Sequence, residues 1–205
     1  MKKKIVAALC AFALAMAVPA AAFADISPER VTTDGDTTTV DMSGMFTDGV
    51  YNPETGGYDP VDVLECVEIE GAENVTINTG EDIDWDAYDD DAIAEYNKML
   101  DQVWADRGEY LFQFEINGDV VGDGPAVVTF QLNADQYGGK VITYYILHHD
   151  GSIQSKVVRV NADGTVTIWM DSFSIITFMD VDGLTKYENM VEPQDGELLS
   201  PKTGN

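Results

Sequence analysis

KVITYYILHH (residues 140–149), followed by Asp150-Gly151 and then SIQSKVVRV (152–160), reads as two β-strands about a tight turn. Val, Ile and Tyr suit a pleated, half-buried surface, and Asp-Gly supplies the backbone geometry of a two-residue hairpin turn. TVTIWM (165–170) follows Asp163-Gly164, a second turn of the same chemistry, and FSIITFMDV (173–181) adds another β segment. Upstream, Tyr110, Phe112, Phe114 and Ile116 alternate with Leu111, Gln113 and Glu115, while Val128, Phe130 and Leu132 alternate with Val127, Thr129 and Gln131. A period of two places one set on a core-facing side and the other on the opposite side. TTTVDM (37–42), VDVLECVEI (61–69) and NVTIN (74–78) are fainter strand signals.

One segment has a different period. Ile93, Tyr96, Leu100, Val103 and Trp104 recur at i, i+3, i+7, i+10 and i+11, one face of an α-helix. Asp89, Asp90 and Asp91 stand where the helix dipole favours anions, Arg107 falls in the last turn, and Gly108 supplies a stop. The expected fold is mainly β: an antiparallel β-sandwich, immunoglobulin-like or similar, with one amphipathic α-helix at about 91–107. The helix is expected across a sheet or at the end of the sandwich.

The chain has 205 residues, with 11 Lys+Arg against 37 Asp+Glu, a net charge of −26. Hydrophobic residues make up 45%, enough for a packed core instead of a disordered acidic chain. That charge repels phosphate backbones and anionic lipid, which argues against nucleic acid and membrane surfaces as partners.

The first residues read as an export leader. Lys2, Lys3 and Lys4 precede an apolar run from Ile5 to Val18, and Ala22-Phe23-Ala24 offers the small-x-small pattern cut before Asp25. The run falls short of the ~20 residues a spanning helix needs, so no membrane span is expected. Removing the three leader lysines takes the charge from −26 to −29. Cys10 leaves with the leader. Cys66 then stands alone, without an intrachain disulfide partner, and is expected as a small buried hydrophobe in acidic surroundings that raise its pKa. The organisation expected is a signal peptide (1–24), an acidic, partly extended segment (25–60), a sandwich with an inserted helix (61–184), and a polar linker with a terminal motif (185–205).

That motif is Ser200-Pro201-Lys202-Thr203-Gly204, followed by Asn205. It resembles the Leu-Pro-x-Thr-Gly sorting signal of Gram-positive cell-wall-anchored proteins, read by sortase transpeptidases. Pro201, Thr203 and Gly204 match, Lys202 takes the variable place, and Ser200 stands where the pattern has leucine. The pattern normally continues into an apolar span and a basic tail, whereas this sequence ends at Asn205. The resemblance implies cleavage between Thr203 and Gly204 and joining of Thr203 to peptidoglycan. Residues 125–182 also resemble a β-sandwich module of bacterial surface proteins, through His149-Asp150-Gly151, Gly164-Thr165-Val166-Thr167 and Asp171-Ser172-Phe173-Ser174. That resemblance implies no catalytic residue. Phe173 reads as a core plug and Ser174 as a local hydrogen bonder.

The densest chemistry-bearing cluster is Asp82, Asp84, Asp86, Asp89, Asp90 and Asp91. Alternating carboxylates suit a hard cation, yet an EF-hand starting at Asp82 would put Ala87 where Gly is needed and Ile93 where Glu is needed. An irregular, weak Ca²⁺ site using Asp82, Asp84, Asp86 and Asp89 is the reading the spacing allows; a solvated helix N-terminus is the plainer one. No other cofactor is expected. His148 and His149 are adjacent, so on a strand they point to opposite faces and cannot share a metal. A dyad with Ser152 has no nucleophile-elbow motif behind it. The expected function is a secreted, wall-anchored, non-catalytic surface protein acting as a display, stalk or adhesion module toward a surface ligand. The alternatives are a freely secreted glycan-active hydrolase using paired carboxylates, or a Ca²⁺-stabilised module.

Overall fold

The computed structural model describes residues 30–194. In chain order the strands are β1 (Val31–Asp34), β2 (Thr37–Asp41), β3 (Thr47–Asn52), β4 (Gly57–Asp62), β5 (Leu64–Glu70) and β6 (Ala72–Thr79). Helix α1 (Asp90–Ala105) follows, then β7 (Glu109–Val120), β8 (Ala126–Leu132) and the short α2 (Ala134–Tyr137). The remainder is β9 (Val141–Leu147), β10 (Ile153–Arg159), β11 (Thr165–Met170), β12 (Ile175–Asp180) and the short α3 (Thr185–Glu188). The first sheet has the order β1-β2-β5-β8-β11, and the second β10-β9-β12-β7-β6. β3 and β4 pair only with each other, and all the strand pairs are antiparallel.

The two large sheets bury a common core, as the alternating segments predict. Val40, Val67, Ile69, Val128, Phe130, Val166 and Ile168 come from the first, and Phe112, Phe114, Ile116, Ile142, Tyr144, Ile146, Ile176 and Phe178 from the second. The Phe178 ring is the hub, with centroids 4.7 Å from Phe112 and 4.8 Å from Phe130. One alternation slips: the register shifts between Phe178 and Met179, leaving Leu111 as an extra residue in β7. A bulge reverses the parity of what precedes it, so Leu111 packs on the core and Tyr110 is exposed.

A second apolar layer lies on the outer face of the second sheet. Val141, Tyr145, Leu147, Val157, Ile175 and Met179 pack with Ala92, Ile93, Tyr96 and Val103 of α1. β9 is therefore buried along its whole length, which is why VITYYIL reads as one apolar run. At the N-terminus of α1, Asp89 accepts hydrogen bonds from the backbone N–H groups of Asp91 (2.9 Å) and Ala92 (3.1 Å), satisfying donors that have no intrahelical partner. At the other end Gly108 N–H bonds the Val103 carbonyl and Arg107 N–H that of Trp104, a Schellman stop. Arg107, not Gly108, takes the left-handed position, with φ of 73°. The helix thus ends at Ala105, two residues short of the expected 107, and Trp104 is 64% exposed because burial in the last turn passes to Val103.

The fold includes more chain than the sequence suggests. β1 and β2 belong to the first sheet, and Val40 and Met42 are fully buried, so the sandwich begins by residue 31 and not at 61. Among the described residues before 61, the β3–β4 hairpin is what stands off, rooted by Phe46 against Phe112 (5.5 Å) and Phe114 (6.1 Å). Nor does the fold stop at 184. Tyr187 is buried and its hydroxyl donates to Asp106 Oδ2 at 3.0 Å, beside the Lys186–Asp106 ion pair at 2.6 Å. Gln194 accepts from the Thr167 N–H (2.9 Å) and donates to the Arg159 carbonyl (2.8 Å), clasping the edge strands β11 and β10. The polar composition of 185–194 hid this, because those residues satisfy strand edges instead of presenting an apolar stripe.

Both Asp-Gly turns are longer than two residues. Gly151 N–H bonds the His148 carbonyl and His148 N–H the Ser152 carbonyl, with Gly151 at φ 83°: a three-residue loop of type I turn plus bulge. Asn161 to Thr165 repeats that pattern, but there it hands the chain from the second sheet to the first.

A candidate binding cleft at one end of the sandwich

β7 ends, β9 turns into β10, and β11 crosses to β12 at the same end of the sandwich. Between them lies a cleft of about 350 Å³ lined by Asn117, Gly118, Asp119, Val120, His149, Asp171, Ser172 and Phe173. Gly118 is within β7, not in a turn as its neighbours Gly122 and Gly124 suggest. A Cβ there would sit 2.9 Å from the Glu73 carbonyl oxygen and 3.2 Å from Val75 Cα, so glycine permits the close approach of β6.

Beneath the cleft is a buried polar network. Glu115 is on the outer face of the second sheet yet wholly buried. The Tyr88 hydroxyl donates to Oε1 (2.9 Å), while the Asn78 amide (2.9 Å) and the Asp84 backbone N–H (3.3 Å) donate to Oε2. Burial, with the Glu115 carboxylate beside it, pushes the Tyr88 hydroxyl well up, so it stays a donor. The Tyr88 ring stacks on His149 with centroids 4.4 Å apart. His148 turns the other way, its Nδ1 2.8 Å from Ser174 Oγ and 3.5 Å from Ser172 Oγ.

The adjacent histidines thus diverge as expected, but because the chain turns between them: β9 ends at Leu147, His148 closes the loop and His149 is its first residue. Ser152 is not paired with either; it donates to Asp150 Oδ1 through both its hydroxyl (2.6 Å) and its N–H (2.9 Å), which holds the Asp150 carboxyl below its ordinary value. Phe173 plugs the core as expected. Ser174 is fully buried; its hydroxyl makes the local backbone bond expected of it, donating to the Ser172 carbonyl at 3.4 Å, and it also engages His148.

The acidic cluster is spread out. Asp82 closes the 3₁₀ turn Gly80–Asp82, Asp84 lends its N–H to Glu115, Asp86 lies in the turn Trp85–Ala87, and Asp89 caps α1. Among the described residues, no three His, Cys, Asp or Glu side chains converge in a way that could hold a metal ion. Cys66 is half-buried on the outer face of the first sheet, not in the core; burial, with Glu68, Glu65 and Asp41 nearby, pushes its thiol up. Among the described residues no helix is long and apolar enough to cross a membrane. Ala22, Ala24, Asp25, Ser200, Pro201, Lys202, Thr203 and Gly204 lie outside the described residues.

Of the cleft residues, the sequence singled out His149 and the stretch 171–173. It gave no sign of Tyr88 or Glu115, whose partnership joins positions 27 residues apart. A glutamate at a regularly alternating position reads as solvent-facing, and only the strand that loses its solvent face buries it. Compared with protein-family models, curated proteins and solved structures, the chain matches none.

Proposed function

We propose that the protein is exported and held on the cell wall as a non-catalytic surface module for display or adhesion. The observation that carries this reading is the pairing of a basic-then-apolar leader ending at Ala22-Phe23-Ala24 with Ser200-Pro201-Lys202-Thr203-Gly204 at the other end. The path of the chain supports it. Gln194 is fastened to β10 and β11, so a tether beginning there would pull on the sandwich through its strand edges. The cleft supports the adhesive part, since it offers hydrogen-bonding groups on the end of β7 and on two loops held by a rigid scaffold.

Incubating the chain with its host's sortases and an amine acceptor tests the anchoring. Loss of Gly204-Asn205 and attachment of the acceptor to Thr203 is the expected result. Failure of acyl transfer with every one of those sortases removes the anchoring claim.

A further inference from the structure

We propose that the cleft formed by Asn117, Asp119, His149, Asp171 and Ser172 binds an uncharged saccharide unit. The inference names the ligand class of the adhesion reading and rests on that reading only for where the ligand is met. Three observations carry it.

The first is chemical complementarity. The lining offers two carboxylates, an amide, a hydroxyl and an imidazole, and no Lys or Arg. An anionic ligand meets two carboxylates and no Lys or Arg there, on a chain of net charge −26, so the electrostatics disfavour it. The ligand must instead bring hydrogen-bond donors. A pyranose does so with adjacent hydroxyls, which a carboxylate accepts two at a time. A simple ammonium would use a carboxylate and leave the amide and hydroxyl without partners. A cleft of about 350 Å³ falls within the ~300–1,000 Å³ of small-ligand sites.

The second is an open carboxylate. Asp119 Oδ2 is held by the Asn74 amide at 3.0 Å, whereas no donor among the described residues is hydrogen-bonded to Asp171. Asp119 is positioned, and Asp171 has its acceptor sites open to the ligand.

The third is preorganisation. Glu115 is a fully buried carboxyl without a cationic partner among the described residues, an arrangement with a substantial desolvation cost. Its three donors include the Tyr88 hydroxyl, and the Tyr88 ring fixes the His149 ring. The buried network thereby holds a cleft-lining side chain in place before a ligand arrives, which lowers the ordering cost of binding.

Isothermal titration and NMR of the full chain with glucose, galactose, mannose, N-acetylglucosamine, glucosamine and glucuronate form the test. At least one neutral sugar is expected to bind with a Kd of about 1 mM or below, glucuronate at least about tenfold more weakly. Asp171→Ala, at an exposed position, is expected to weaken binding by about tenfold without changing the melting temperature, and His149→Ala, which also removes the ring stacked on Tyr88, to weaken it by at least as much. Three results overturn the proposal: no neutral sugar bound at about 10 mM, binding unchanged in both variants, or binding of glucosamine alone, which would make the cleft an ammonium site. The sortase assay reads residues 200–204 and this one reads the cleft. An anchored chain that binds no sugar sinks only the present inference, and a sugar-binding chain that is never cleaved sinks only the anchoring.

Discussion

The two large sheets share one core but have opposite outer faces. On the second sheet, α1 covers β9 and β12, and side chains on both faces of those strands are buried. On the first sheet the outer face is a solvent-facing row, Thr39–Glu68–Thr129–Thr167, of directly paired residues, with none of them buried. The contrast is written into the strands. β8 and β11 alternate, whereas VITYYIL and IITFMD are nearly unbroken apolar runs. An unbroken run of strand length reports a third layer, because polar side chains are lost from whichever face a helix covers.

The strongest way to break this contrast is to remove the cover. Tyr96 is fully buried, and its hydroxyl meets Thr177 Oγ1 at 2.6 Å. Tyr96→Ala leaves a ring-sized cavity between α1 and the second sheet and is expected to lower stability by about 3–5 kcal/mol, read from urea denaturation. A loss under about 1 kcal/mol would mean that the helix merely rests on the sheet.

Thr177 sharpens the comparison at the level of one oxygen. It is wholly buried, and its hydroxyl oxygen accepts from Gln113 Nε2 at 2.7 Å as well as meeting Tyr96. Thr177→Val keeps the shape but removes both of these hydrogen bonds, though Tyr96 keeps its 3.4 Å bond to the Tyr145 carbonyl, for an expected loss of about 1–3 kcal/mol. At the foot of the cover, Asp89→Ala removes a cap of two N–H groups and is expected to cost about 1 kcal/mol. Both are read from the midpoint of urea unfolding at unchanged slope.

The sandwich class, its later strands and the helix were legible because each carries its own period. The layer order was not, nor were β1, β3 and β4, since VTTD, TDGVYN and GYDPVD have too few apolar residues to show alternation. The cleft was legible only in fragments. Its lining comes from three separate strand ends, and its foundation, Glu115 with Tyr88, depends on a strand–loop contact that no local pattern records.

The far end of the helix gives a pH test. Hydrogen bonds from Lys186 and Tyr187 hold the Asp106 carboxyl below its ordinary 3.8, and the same pairing holds Lys186 above its ordinary 10.5. A depressed carboxyl adds stability above its unfolded value and loses it as pH falls through the lower folded one. A raised ammonium adds stability below its unfolded value and loses it as pH rises through the higher folded one. The pair therefore contributes fully between those two ordinary values. Asp106→Asn is expected to lower the melting temperature throughout that window, with the difference from the parent shrinking below pH 3.8. Because Lys186 is exposed and Asp106 is only partly covered, the shift should be small and should diminish further in salt.

The smallest expected effect is the most direct check on the open face. Thr129→Val on the first sheet is the same substitution as Thr177→Val on the second, in a strand of the same sandwich. Thr129 Oγ1 is 3.1 Å from Thr167 Oγ1, a pairing at a half-exposed position where water can replace either partner. Valine keeps the β-branched shape that a strand favours. The expected change is within about 0.5 kcal/mol of zero, against the loss of about 1–3 kcal/mol at Thr177. If the two substitutions cost the same, the outer faces do not differ in the way their sequences imply, and burial beneath α1 is not what makes Thr177 matter.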